Sequence, residues 1–144
     1  MSVIEIRLLG PGDAAMLETV ADDVFDEPVD PGRLAACLAE PNHHMIVALH
    51  DGVVVGQTAA VVHRHPDKPT ELYIDEVGVS PAYRRRGVAR RMLDAMLAHG
   101  RVIGCEEAWV GTEPDNLPAR GLYECRRAGG DKEAEPFVMY VYRL

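Results

Sequence analysis

No apolar stretch in this chain approaches the roughly 18 residues that a membrane-spanning helix requires. The opening MSVIEIRLLG also lacks a basic start followed by a long apolar run. Both absences predict a cytoplasmic protein with neither membrane nor secretory address. Cysteine is scarce: Cys37, Cys105 and Cys125 form an odd, scattered set with no zinc-type spacing and no disulfide framework, so all three read as structural. Positive charge is short as well, with 15 Lys and Arg against 23 Asp and Glu and a net charge of −8. A general nucleic-acid binder is excluded on that ground, because affinity for a phosphate backbone needs a basic face. Repeats, low-complexity tracts and long linkers are missing too, which predicts one domain over residues 1–144.

What is present suits a compact enzyme-sized domain. The 144 residues are 47% hydrophobic and 26% charged, enough to fill a core in an α/β or α+β arrangement. The few basic residues are unevenly spread. Arg84, Arg85, Arg86, Arg90 and Arg91 are five of the fifteen and stand within eight positions; the five taken off the −8 leave −13 for the rest. One positive spot on a negative body predicts two ligands of opposite charge.

Periodicity places the elements. Val3 to Leu9 alternates as a half-buried strand and Gly10-Pro11-Gly12 ends it. Asp13 is a candidate cap for a helix carrying Leu17, Val20, Ala21, Val24 and Phe25 at helical spacing. An acidic loop with Asp22, Asp23, Asp26, Glu27 and Asp30 follows, and Asp30-Pro31 opens a short helix ending before Pro41. From His44 to His65 two apolar runs flank Asp51-Gly52, a hairpin pattern. Glu71 to Val79 reads as a central strand, Val88 to His99 as an amphipathic helix closed by Gly100, and Glu106 to Thr112 as a strand parallel to the central one. A helix near Leu117 to Arg126 and a strand over Pro136 to Leu144 complete the expectation.

Between the central strand and its helix stands Arg84-Arg85-Arg86-Gly87-Val88-Ala89. Backbone N–H groups at a helix N-terminus carry partial positive charge, Gly87 and Ala89 leave room for an anion, and arginines supply bidentate partners for phosphate oxygens. A solvated arginine-rich turn is the plainer alternative. With Arg84, Gly87 and Ala89 matching Arg/Gln-x-x-Gly-x-Gly/Ala after a strand ending Val77-Gly78-Val79-Ser80-Pro81, the sequence resembles the GNAT acetyltransferase superfamily. Asn116-x-x-Ala119-x-x-Leu122-Tyr123 matches a second signature in the right order, and the likeness runs from the first strand to Val138-Met139-Tyr140-Val141-Tyr142. The segment Cys125 to Lys132 departs from the family, whose members mostly place a Gly and an aromatic residue there.

The resemblance implies an α/β (α+β) GNAT fold: a single mixed, mostly antiparallel twisted sheet with a central parallel pair, flanked by helices. It implies acetyl-CoA as cosubstrate, bound by Arg84, Arg85, Arg86, Gly87, Val88, Ala89 and Arg90 at its pyrophosphate. Val77, Gly78 and Val79 would pair with the pantetheine arm like an added strand, with Asn116 beside it. No metal is expected: His63, His65 and the pair His43-His44 show no ligand pattern with nearby acids, and loop or strand-surface roles suit them. The family also admits a homodimer.

The run Pro69-Thr70-Glu71-Leu72-Tyr73-Ile74-Asp75-Glu76-Val77 and the acidic early loop are similar to those of the aminoglycoside 3-N-acetyltransferases of GNAT type. That likeness implies a polycationic amine as acceptor, met by Asp26, Glu27, Asp75, Glu76, Glu113 and Asp115, with Asp22 and Asp23 adding to the field. Ordinary solubilising surface is the competing account of these acids. Direct transfer needs a carboxylate to take the proton of the substrate ammonium, and Glu76 ranks ahead of Asp75. Neighbouring strand residues face opposite ways, so only one can enter the cleft unless a bulge intervenes; strict alternation puts Asp75 with Val77 and Val79. Tyr123 is the candidate acid for the departing thiolate, against a packing role. Cys125 has no paired histidine and no step to perform. Other GNAT acceptors, such as a polyamine, amino acid or protein amine, and a non-catalytic CoA-binding module are the competing functions.

Overall fold

A computed structural model of the chain describes residues 2–125 and 134–144, which fall into two compact units divided between Gly111 and Thr112. The first unit holds a five-stranded sheet of β1 (Glu5–Leu8), β2 (His43–His50), β3 (Val53–His63), β4 (Glu71–Val79) and β5 (Glu107–Val110), in that spatial order. The first four strands are antiparallel neighbours, and β5 lies parallel to β4. Asp51 and Gly52, with φ of 50° and 78°, make the β2–β3 connection, since a two-residue hairpin turn of this hand needs positive φ twice. Helix α1 (Pro31–Ala39) starts as its sequence predicts: the Asp30 carboxylate accepts from the Arg33 amide at 2.8 Å, and Pro31 loses no helical donor at the first position.

Alternation along the strands sorts the core into two layers. On one face Met45, Val47, Val54 and Ala59 pack with Leu34, Cys37 and Leu38 of α1 and with Leu17 and Val24. On the other, Ile46, Ala60, Val62, Leu72 and Ile74 are buried on the side of α2 (Val88–Val102), which contributes Val88, Met92, Leu93 and Met96. The expected Glu71–Val79 strand, the α1 boundaries and the hairpin are all observed.

Three local expectations are corrected. The segment after Asp13 is a single 3-10 turn, Ala14–Leu17, rather than a helix reaching Phe25. Its backbone joins the sheet instead: the Ala21 amide donates to the Val54 carbonyl and the Val54 amide to the Thr19 carbonyl, each at 2.9 Å. Asp13 heads this turn, its carbonyl accepting from the Met16 amide at 3.0 Å, but its side chain does not cap it; the carboxylate accepts from the Gly10 amide at 2.7 Å and closes the preceding turn. Gly100 does not end α2 but lies buried within it, where a Cβ would stand 2.8 Å from Leu72 Cδ2; the left-handed glycine after the helix is Gly104.

In the second unit α3 covers Leu117–Cys125. The strand expected over 136–144 is absent: these residues are in no ladder and are exposed. Phe137, Met139 and Val141 alternate with Val138, Tyr140 and Tyr142, so both faces are apolar, and a strand exists only where a neighbour meets its backbone donors and acceptors. Residues 126–132 of the divergent segment lie outside the described residues. No helix among the described residues is long and apolar enough to cross a membrane.

Candidate functional site

A bulge in the middle of β4 decides how the two candidate carboxylates stand. Ala60 pairs with Ile74 and Ala59 with Glu76, which leaves Asp75 as an extra residue with no partner on β3. Alternation carried forward from Tyr73, opposite Val61, puts Asp75 on the α1 face. Alternation carried back across the bulge puts Glu76, opposite Ala59, on that same face. Asp75 and Glu76 therefore present together, and Asp75 does not share a face with Val77 and Val79. Thr58 Oγ1 donates to the Glu76 carbonyl at 2.8 Å and fixes the backbone at the bulge.

The acidic loop reaches the same place. A Cβ on Gly78 would come within 2.2 Å of the Val24 carbonyl oxygen, and Gln57 Nε2 donates to that oxygen at 3.3 Å, so the loop rests on β4 where only glycine leaves space. Burial raises the Glu76 pKa above the ordinary carboxylate value, and the nearby charges of Asp75 and Asp26 push it further. Burial raises Asp75 as well, partly offset by a backbone hydrogen bond and by His43. Among the described residues none of these three carboxylates is in a salt bridge. Both β4 acids remain solvent-accessible, so a soluble cation can reach them.

Cys37 and His43, which the sequence did not single out for this site, face the same acids. Burial raises the Cys37 thiol pKa, followed by the charges of Asp75 and Glu76, so the thiol stays protonated and is a poor nucleophile. Both residues line an open groove of about 500 Å³ with Arg33, Glu40 and Val61 beside α1. Asp22, Asp23, Asp26 and Glu27 are exposed in the loop, and the charge of Asp26 raises Glu76.

Beyond Ile74, β4 continues to Val79 after its last pairing with β5 at Val110, so the backbone of Val77, Gly78 and Val79 has β3 on one side and, among the described residues, no strand on the other. The strand then runs into the arginine turn. Arg85 at φ 60° and Gly87 at φ 76° are left-handed, and Gly87 is the N-cap of α2. The first-turn amides of Val88, Ala89 and Arg90 have no intrahelical acceptor, and a Cβ built on Gly87 meets nothing within 4 Å. Arg84, Arg85 and Arg86 are exposed, with the Arg86 guanidinium 4.9 Å from the centre of the Tyr83 ring. An open strand edge leading to a roomy, cationic helix N-terminus fits a long chain ending in phosphates, the shape of a CoA thioester.

In the second unit Asn116 caps α3: its Oδ1 accepts from the Ala119 amide at 3.3 Å and its carbonyl from the Arg120 amide at 3.0 Å. Tyr123 lies on α3, half-buried, and burial raises its phenol pKa. Glu113 and Asp115 are exposed just before the helix.

Comparison with known proteins agrees with this geometry. The model of the Acetyltransferase (GNAT) family matches residues 14–129. An N-alpha-acetyltransferase RimI of Mycobacterium tuberculosis is 34% identical over 124 residues, 83% of this chain and 75% of its own. An aminoglycoside N(6')-acetyltransferase type 1 of Salmonella typhimurium is 29% identical over 102 residues, 67% of this chain and 68% of its own. Among solved structures, an aminoglycoside acetyltransferase from an uncultured soil metagenomic sample superposes with a TM-score of 0.80 at 21% identity, covering 98% of this chain and 96% of that one. The match of the family model over most of the sequence, on a fold whose β4 edge and α2 N-terminus suit a CoA thioester, makes this chain a member of the GNAT family of acetyltransferases.

Proposed function

We propose that the protein transfers the acetyl group of acetyl-CoA to a primary amine of a polycationic small molecule, with an aminoglycoside as the acceptor class. The observation that carries this reading is the β4 bulge, which puts Asp75 and Glu76 side by side, unpaired and next to Asp26, immediately before the open strand edge and the arginine turn. Unpaired clustered carboxylates draw a polycation. Among aminoglycoside amines, the 6'-amino group stands ahead of the 3-amino group expected from sequence, because the relatives with a stated position act at N(6').

Transfer proceeds directly. The neutral amine attacks the thioester carbonyl, the C–N bond forms, the C–S bond breaks and CoA leaves as its thiolate. Glu76, with its raised pKa, takes the proton of the ammonium, and Asp75 and Asp26 hold the remaining cationic groups. The free N–H groups along the outer edge of β4 are donors for the developing oxyanion. Tyr123 returns a proton to the thiolate, a role its place in the Asn116 signature supports.

The RimI likeness favours a second reading, a protein α-amine as acceptor. One assay separates the two: CoA thiol release with several aminoglycosides, spermidine and an alanine-led peptide, with the modified nitrogen located by NMR. Acetylation of aminoglycosides at N6' is the expected result. Turnover of the peptide alone moves the acceptor to a protein, and no transfer to any amine leaves a non-catalytic CoA-binding module.

A further inference from the structure

We propose that His63, His65 and Glu71 form a binding site for a divalent zinc-class cation, separate from the acetyl-transfer site. His63 and Glu71 are direct partners across β3 and β4, and His65 follows two residues after His63. The three side chains bring one nitrogen or oxygen each to within 4.8 Å of one another, and the two imidazoles lie 4.3 Å apart between centres. A small inward movement brings such a trio to the roughly 2.0–2.2 Å bonds that zinc makes with imidazole and carboxylate.

The polar atoms themselves ask for a cation. Among the described residues His65 Nε2 is shut off from solvent and makes no hydrogen bond; its polar neighbour is Glu71 Oε1 at 3.3 Å, an ion-pair contact only when the imidazole is protonated. A buried nitrogen left in that state is costly. A metal ion between the imidazole lone pair and the carboxylate satisfies both at once. The other carboxylate oxygen, Oε2, accepts from Trp109 Nε1 at 2.9 Å, and the indole is stacked on Tyr73 at 3.9 Å, so Glu71 is held in orientation as metal-binding carboxylates are. His63 is exposed and gives an ion access from solvent. Two imidazoles with one carboxylate suit zinc and its neighbours, whereas magnesium and calcium want oxygen alone. The bound ion would tie together both ends of the loop between β3 and β4.

Trp109 is the only tryptophan of the chain and touches a proposed ligand, so it serves as the reporter. Chelator-treated full-length protein is titrated with zinc chloride by calorimetry and by Trp109 fluorescence. The expected result is one equivalent bound, a saturable change in emission over the same range, and a Tm that rises with zinc. The double variant His63→Ala/His65→Ala loses affinity about tenfold or more, with loss of the emission change. Glu71→Gln, which keeps an acceptor for the indole, loses affinity comparably. Zinc binding by the double variant as tight as that of the parent, or no saturable binding by the parent, overturns the site. Cys37, Cys105, Cys125 and the remaining histidines are intact in both variants, so binding at those groups is read directly.

Discussion

At the scale of single residues the raised pKa of Glu76, together with the role proposed for it as base, sets activity and stability in opposition. Its folded pKa lies above the unfolded value of 4.5, so folding favours the protonated acid. The folded state is therefore penalised progressively as pH rises from about 4.5 to the raised pKa and in full above it, and the penalty is absent well below 4.5. Glu76→Gln is expected to raise Tm at neutral pH, with the gain vanishing in acid, while kcat falls roughly 100-fold or more as the proton acceptor is lost. Asp75→Asn removes a neighbouring charge that raises Glu76, so the acidic limb of the kcat profile shifts to lower pH with a smaller change in its plateau. Thermal melts and pH–rate profiles of both variants test this, and an unchanged kcat in Glu76→Gln rejects Glu76 as base. Both residues stand out in the sequence, but their common face does not, because a bulge depends on the pairing of β4 with β3 and leaves no mark in the local pattern.

At the scale of elements, three tight glycine contacts place the strands, the acidic loop and α2 within close reach. Gly56 lets α2 approach β3, with a virtual Cβ 3.0 Å from Met92 Cε. Gly78 and Gly100 differ in what an added methyl would strike: the Val24 backbone oxygen at 2.2 Å in one case, the movable end of Leu72 at 2.8 Å in the other. Gly78→Ala is expected to lower stability by about 2 kcal/mol or more, and to raise the acceptor KM by displacing the loop that carries Asp26. Gly100→Ala is expected to be near neutral, since the helix gains roughly 0.8–1 kcal/mol from losing a glycine while Leu72 repacks. Urea midpoints of the two variants measure the difference, and the reverse order refutes the seating of the loop on β4. The early segment shows why part of this architecture escapes sequence reading. Leu17 and Val24 do point into the core as helical spacing requires, yet the backbone between them bonds to Val54 on β3. Apolar spacing reports which side chains are buried and is silent on which backbone groups hold them there.

At the scale of the whole molecule, within a chain of net charge −8, the fold keeps an acidic pair and an arginine turn next to each other along one strand and its following turn. Asp75 and Glu76 stand at the bulge, and Arg84, Arg85 and Arg86 stand past the end of the same strand. That juxtaposition was legible in the sequence as a run of acids followed by a run of arginines, because strand, turn and helix are consecutive in the chain. Under the proposed function a polycationic acceptor and a polyanionic cosubstrate would enter oppositely charged fields, and both attractions would be screened as the Debye length falls to about 10 Å at 0.1 M salt. The acceptor KM of an aminoglycoside carrying several ammonium groups should rise several-fold between low and high ionic strength, and that of a singly charged amine should rise much less. Steady-state kinetics at saturating acetyl-CoA separate the two fields, since saturation removes the contribution of the arginine turn. Salt-independent KM for the polycation would show that the clustered carboxylates do not bind it. A matching rise for both amines would mean that salt acts through something other than acceptor charge, and the field of Asp26, Asp75 and Glu76 would then have no part in choosing the acceptor.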